Sequence, residues 1–406
     1  MTDRPRAIVI GLASVTGLQT ARILARRGVP VNVIAGNRRH FAARTRVCER
    51  IIEADVHGEG FLDVLAEIGP ELDQRAVLYP CTDQAVLEIS AHRDRLRAWY
   101  HVVLPADRIV QTLARKALFY DHAQAHGLPV PATFTLTDRA EAERAAAALP
   151  YPALLKPSVK SPAWKRHAGV KVWPVSGPEE LLAAYDRLKA WTEALVAQQY
   201  VDGADDQLYT CNCYYDAQQR ALIVFSTRKR RQWPPHVGTA SFGEECRNDR
   251  VVAETLRLFA TVDFRGLGYL ELKFDKVNNR YLIMEANIGR PTGRSATAEA
   301  GGVELLNTMY CDATGQPLPE QREQQYVGAK WVDLRRDLLS ATYYWRRREL
   351  RVSDWIRSLR GPKAHSVLSL EDPMPFVFEL AQSSRKAARR ALRRTASRVA
   401  PVPGDE

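Results

Sequence analysis

The 406-residue chain has no apolar run of the ~18–20 residues needed to cross a bilayer. Met1–Arg6 passes into an apolar stretch without a long hydrophobic leader, so a cytoplasmic protein is expected. Cysteine is sparse and scattered at Cys48, Cys81, Cys211, Cys213, Cys246 and Cys311, with no C-x-x-C pair and no second Cys/His pair at zinc spacing. This usage fits a reducing compartment. Cys211 and Cys213 alternate along a strand-like stretch and are read as small core side chains on one face. The G-x-G-x-x-G dinucleotide fingerprint is also missing: the first turn reads Gly11-Leu-Ala-Ser-Val-Thr-Gly17, so NAD-type binding is not expected. No internal repeat is present.

What is there is ordinary for a globular chain, with 46% hydrophobic and 26% charged residues. The length suggests about two to four domains. The net charge of +11 is uneven: Trp345–Glu406 holds fourteen Lys/Arg against seven Asp/Glu. The basicity therefore belongs mostly to a tail. Within it, Ser383–Val399 spaces Arg385, Arg389 and Arg393 four apart, and likewise Lys386, Arg390 and Arg394, which predicts a short basic amphipathic helix. Its readings are a solvated terminal helix or weak contact with anionic membrane or nucleic acid. Residues 345–378, with several aromatics, are expected to include a helix packed on the body.

Short apolar strands at Ala7–Gly11, Val31–Ile34, Val77–Tyr79 and His101–Leu104 alternate with helical stretches at 15–27 and from about Gln84. The pattern predicts an α/β domain with a parallel, doubly wound sheet over residues 1–112. Ligands of such sheets lie at the carboxyl ends of the strands, where Ser14, Thr82 and Asp83 stand. They are candidate substrate contacts; the alternative is that Thr82 or Asp83 caps the following helix. Residues 113–126 read as a helix ended by Gly127. Beyond it the pattern is mixed α+β. Strands are expected at Thr133–Leu136, Pro152–Leu155, Val170–Pro174, Ala194–Val201, Leu208–Tyr215, Ala221–Arg228, Gly268–Phe274 and Tyr281–Ala286. The last two are joined by the turn Val277-Asn-Asn-Arg280.

That last hairpin carries the strongest chemical signal. Glu271 and Glu285 lie in apolar strands, where an unpaired carboxylate is costly to bury and two facing ones repel. Asn287, two residues past Glu285, shares its face. Two carboxylates and an amide oxygen make a hard oxygen set suited to Mg2+. Arg290 and Arg294 follow, suited to a phosphate or a carboxylate. The competing reading is a surface hairpin with solvated glutamates.

The run E-L-K-F-D…Y-L-I-M-E-A-N-I-G-R-P resembles the end of the ATP-grasp fold. The resemblance extends over about residues 113–310. Lys116 matches that family's first phosphate lysine, and Lys156, in L-L-K-P, its second. Val196–Gly203 resembles the hinge strand that reads adenine, through Gln198, Gln199, Tyr200 and Val201. Asp205 matches the acidic residue that holds the ribose. Gln198 and Gln199 depart from the usual glutamate. The loop Ser158–Gly169 is basic rather than glycine-rich. Arg231, Pro234, Pro235 and Gly238 resemble an R-x-x-P-P-x-x-G stretch of a bacterial branch that includes D-aspartate ligase-like proteins. Arg231 is the phosphate candidate there, Lys229 and Arg230 are equally well read as solvated loop, and His236 is a weak candidate base.

The resemblance implies a Rossmann-like domain over 1–112, an ATP-grasp domain over 113–318 with a lid at about 130–200, and a C-terminal extension over 319–406. It implies ATP and Mg2+ (or Mn2+) as cofactors, and a carboxylic acid and an amine, amino acids among them, as small-molecule partners. The reaction implied is carboxylate phosphorylation followed by amine attack, with Arg290 and Arg231 on the phosphate and Arg294 on a substrate carboxylate. An ATP-grasp carboxylase or phosphotransferase, or a non-catalytic nucleotide or nucleic-acid binder, are the alternatives.

Overall fold

The computed structural model describes residues 4–158, 162–167, 172–235 and 238–385. The basic helix expected over Ser383–Val399 lies outside them beyond Arg385, as does His236.

Five parallel strands form the first sheet: β1 (Ala7–Ile10), β2 (Val31–Ala35), β3 (Arg50–Glu53), β4 (Ala76–Pro80) and β5 (Tyr100–His101), in the order β3-β2-β1-β4-β5. The central strands are fully buried, as their unbroken apolar runs require. The edge strand β3 is half exposed and polar at both ends, so it carries no apolar signal and was not expected. The order reverses between β1 and β4, and the turns after both open toward one cleft.

Four antiparallel strands form the second sheet: β6 (Thr133–Leu136), β7 (Ala153–Pro157), β8 (Trp173–Val175) and β9 (Leu195–Gln199), in the order β6-β9-β7-β8. These strands fall between residues 133 and 199. The helices Arg139–Ala148 and Pro178–Leu188 close its apolar core.

The third sheet has seven strands: β10 (Leu208–Tyr215), β11 (Ala221–Trp233), β12 (Thr239–Glu245), β13 (Gly266–Asp275), β14 (Arg280–Ile288), β15 (Lys330–Val332) and β16 (Lys363–His365). Their order is β14-β13-β10-β11-β12-β15-β16. One face buries Cys211, Cys213, Leu270 and Leu272 against the helix Asp249–Phe259, so the paired cysteines are core side chains as read. β11 runs five residues past the expected end at Arg228, and β12 was not anticipated. Residues 319–385 are not an appendage. β15 and β16 complete this sheet, so a boundary at 318 cuts through hydrogen-bonded structure. The same segment returns to the first domain, where Arg22 Nε donates to Asp372 Oδ2 at 2.9 Å in a buried pair and Thr45 Oγ1 donates to the same oxygen at 2.5 Å.

The hairpin β13–β14 is fastened to the first domain at a glycine. Gly289 has φ +69°, and a Cβ there would lie 2.3 Å from Leu104 and 3.0 Å from Val86. Only glycine meets both conditions. Gly289→Ala is expected to cost about 2 kcal/mol or more from the backbone and the overpacking together. Thermal melting of purified variant and parent checks this; an unchanged melting temperature would mean that the two domains do not pack as described.

Candidate active site

The hairpin register sets Glu271 directly opposite Glu285 and Tyr269 opposite Asn287, so all four side chains share one face. β10 places Thr210 beside Glu271 on that face. Glu271 is an ion-pair partner of Arg294, whose Nη2 lies 3.3 Å from its carboxylate and 2.6 Å from Thr210 Oγ1. Burial alone would raise the Glu271 carboxyl, but the charges of Lys229 and Arg294 outweigh it and hold the group below the ordinary glutamate range. For Glu285 burial prevails, reinforced by Glu271 and Asp83 against the pull of Lys116, and its carboxyl is pushed up. Two facing carboxylates whose proton affinities are driven apart suit a divalent cation, which would neutralise both.

Arg290 closes the end of this row. Its Nη2 donates to Asn287 Oδ1 at 2.5 Å, its Nη1 to Tyr269 Oη at 2.8 Å, and its Nε to Asp83 Oδ1 at 2.5 Å. The last contact crosses from the third sheet to the first domain. Asp83 therefore adjoins this row as an arginine partner. Ser14 and Thr82 serve as helix caps instead: Ser14 Oγ accepts from Gly17 N and donates to Gly11 O, and Thr82 Oγ1 accepts from Ala85 N. Both hydroxyls are committed to the turns that shape the cleft.

The lysines arrive from two elements. Residues 113–126 are not one helix: the chain is extended at Arg115, and a new helix, Lys116–Ala125, begins at Lys116. A cation at a helix N-terminus opposes the helix dipole, so its placement near Glu285 answers a demand of the site rather than of the helix. Lys156, in β7, donates from Nζ to Gln198 Oε1 at 2.8 Å and lies 5.7 Å from the Tyr120 ring centre. Gln198 Nε2 in turn donates to Thr133 Oγ1 at 2.8 Å. The buried Gln198 thus positions Lys156. The backbone of Gln198 pairs with β6 and β7, and Gln199 N donates to Ala132 O at 2.9 Å. β9 ends there, leaving Tyr200 and Val201 as the exit from the strand. Asp205 accepts from Gln232 Nε2 at 2.6 Å and from the Tyr344 hydroxyl.

Arg231 is not in the site, a correction to its expected role. Two residues of β11, Arg230 and Arg231, oppose the single Phe242 of β12, and this bulge turns Arg231 to the other face. There it forms a buried two-pronged pair with Asp337, at 2.8 Å and 2.9 Å, and lies 4.2 Å from the Phe242 ring centre. The bulge leaves Lys229 and Gln232 on the site face, with Lys229 Nζ donating to Gln232 Oε1 at 3.2 Å. Burial lowers Lys229, opposed by the charge of Glu271. Lys229 was read as an equal match to loop solvation; the signal that would have placed it was alternation with Thr227 in a longer strand. Tyr269 and Thr210 were also missed, because neither side chain carries a charge that marks it in sequence. Among the described residues no group of three or more His, Cys, Asp or Glu gathers for a metal; the acidic set is the pair Glu271 and Glu285.

Two outcomes follow. Arg231→Ala leaves the buried Asp337 without a counter-charge and is expected to cost about 3–5 kcal/mol of stability, read by denaturant unfolding; a variant of parental stability without activity would return Arg231 to the chemistry. In metal-free protein, Glu285→Gln is expected to raise the melting temperature at pH 7, by about 2–4 °C per kcal/mol of burial cost and repulsion relieved. Because the folded Glu285 pKa lies above the unfolded value, ionising this group costs stability as pH rises through that window. The gain should therefore vanish at acid pH, where the carboxyl is protonated in both states. A pH-independent gain would contradict the facing-carboxylate geometry.

No protein-family model matches the chain, and no curated protein matches it. Solved structures do. N5-carboxyaminoimidazole synthetase from Staphylococcus aureus complexed with ADP aligns at TM-score 0.62 and 14% identity, covering 80% of this chain and 81% of that one. Biotin carboxylase from Campylobacter jejuni in a β,γ-ATP complex aligns at 0.59 and 15%, over 78% and 72%. Phosphoribosylglycinamide synthetase from Anaerococcus prevotii aligns at 0.59 and 12%, over 79% and 79%. The chain shares the fold of these structures.

Proposed function

We propose that the chain is an ATP-dependent ligase that joins a carboxylic acid to an amine, with release of ADP and phosphate. The observation that carries this reading is the facing pair Glu271 and Glu285, with Asn287 alongside and Lys116, Lys229, Arg290 and Arg294 around it. ATP would lie between the lid sheet and the seven-stranded sheet; structural neighbours solved with ADP and with ATP support a nucleotide ligand. Tyr200 and Val201 would meet the adenine edge, and Asp205 the ribose, exchanging a contact with Tyr344 or Gln232. Lys156, steered by Gln198, and Lys116 would hold phosphate oxygens. Glu271, Glu285 and the second lone pair of Asn287 Oδ1 would hold Mg2+ or Mn2+. The ion would supply charge neutralisation on the phosphates.

A substrate carboxylate oxygen attacks the γ-phosphorus, and ADP leaves. The amine nitrogen then attacks the acyl carbon, loses a proton, and phosphate departs. The protein contributes alignment and positive charge rather than a nucleophile of its own. Arg290, clamped by Asp83, Tyr269 and Asn287, is placed for the transferring phosphate. Arg294 is turned inward to Glu271, which makes it a counter-charge of the acidic pair and leaves the amino-acid carboxylate to a group not yet assigned. The narrower likeness to D-aspartate ligase-like proteins rests on the Arg231–Gly238 stretch. The carboxylase alternative is kept because one neighbour is a biotin carboxylase domain of a 2-oxoglutarate carboxylase, solved with MgADP and bicarbonate.

ADP release should be assayed with Mg2+ over a panel of acids, amines and bicarbonate. Turnover is expected to need the ion, to yield ADP and phosphate, and to fall below detection in Glu285→Ala. AMP as product, or turnover that survives Glu285→Ala, would overturn the reading.

A further inference from the structure

Apolar side chains on a soluble surface are normally scattered. Here twelve of the fifteen large hydrophobic residues exposed among the described residues fall between positions 326 and 380. The densest part is a pair of helices, Leu334–Arg346 and Val352–Ser358. Leu338 and Trp345, seven apart, line one stripe of the first and are each 55% exposed. Val352 and Ile356, four apart, line one stripe of the second and are each 51% exposed. Leu338, Trp345 and Val352 rim a shared shallow cup of about 120 Å³. The following helix, over 374–385, is tied to the first through Arg335 and Glu379 at 3.3 Å and exposes Met374, Val377 and Leu380.

The charge around this surface has one sign. Residues 345–360 hold six arginines and two acids. Glu349 and Asp354 are taken up by Arg347 and Arg357. Arg346, Arg348, Arg351 and Arg360 remain as exposed positive charge beside the apolar stripes. A second copy of the chain docking here about a twofold axis would set these arginines against their own copies. The cup is also far smaller than the ~300–1,000 Å³ of sites that seat a ligand or a partner's anchor, and the apolar groups protrude rather than recede. Protruding tryptophan and aliphatic side chains flanked by arginine match the interface of an anionic bilayer, where apolar tips enter the acyl boundary and guanidinium groups meet lipid phosphates.

We propose that the Leu334–Arg346 and Val352–Ser358 helices form a docking surface for an acidic phospholipid membrane. The surface is held in place from within. Trp355 Nε1 donates to Asp337 Oδ2 at 2.9 Å, and Ser358 Oγ meets Arg231 at 3.1 Å, so the second helix is anchored to β11 and its outer stripe stays outward. The proposal does not depend on the ATP-site assignments.

Full-length protein is sedimented with vesicles of phosphatidylcholine alone and of phosphatidylcholine with phosphatidylglycerol, at about 0.1 M salt. Binding is expected only with phosphatidylglycerol, weakened about tenfold or more by Val352→Asp/Ile356→Asp, with the melting temperature kept because both positions are exposed. Arg346→Glu/Arg348→Glu should likewise remove binding and guards against misfolding of the first variant. Arg389→Glu/Arg390→Glu, in the basic C-terminal run, should weaken binding less. The proposal is overturned if the parent ignores anionic vesicles, or if it binds phosphatidylcholine equally. It is also overturned if the C-terminal variant alone loses binding, or if Val352→Asp/Ile356→Asp instead dissolves a self-associated form.

Discussion

Two glutamates face each other across one pair of strands, and the organisation of the third sheet answers that repulsion. Glu271 and Glu285 stand at directly opposed positions of β13 and β14, half-buried, where like charges oppose folding. Lys229 and Arg294 draw Glu271 down, and Lys116 counters the rise of Glu285. Each of these cations comes from a different stretch of chain. The acidic pair therefore acts as a common counter-charge for β11, the Lys116 helix and the loop after β14.

The same constraint explains where the domains meet. The loop after Asn287 turns at Gly289, which packs on Leu104 and Val86 of the first domain, and Arg290 then reaches Asp83. The cleft ends of β1 and β4, shaped by the Ser14 and Thr82 caps, thus adjoin the acidic row directly. A substrate bound at the first sheet would stand next to phosphate held over the third, which is the arrangement a two-substrate transfer needs. The C-terminal segment reinforces the junction from outside, with β16 at the sheet edge and Asp372 locked to Arg22.

Several elements were legible because their signals are local. β13 and β14 read correctly from apolar runs around a turn, and the face shared by Glu285 and Asn287 follows from strand alternation. Lys156 falls on β7, one residue past the expected end at Leu155. β12 and the end of β11 were not legible, since Lys229–Trp233 is too polar to suggest a strand; pairing with β12 makes it one. The side-chain partners of Gln198 were not legible for a related reason. Its amide is satisfied by Lys156 and Thr133, and Thr133 lies sixty-five positions away.

Local pattern was enough for most strands and helices of the inner core other than β12, for the parallel character of the first domain, and for singling out the acidic pair, because periodicity and the cost of burying charge are properties of short segments. Only the tertiary structure decided which cations meet that pair. A one-residue bulge in β11 sends Arg231 away to Asp337 and leaves Lys229 on the site face, and no local pattern encodes that exchange. It depends on the pairing with β12, where the extra Arg230 of β11 is followed by a second shift at Ser241 of β12 that restores the register by Gln232 and Ala240.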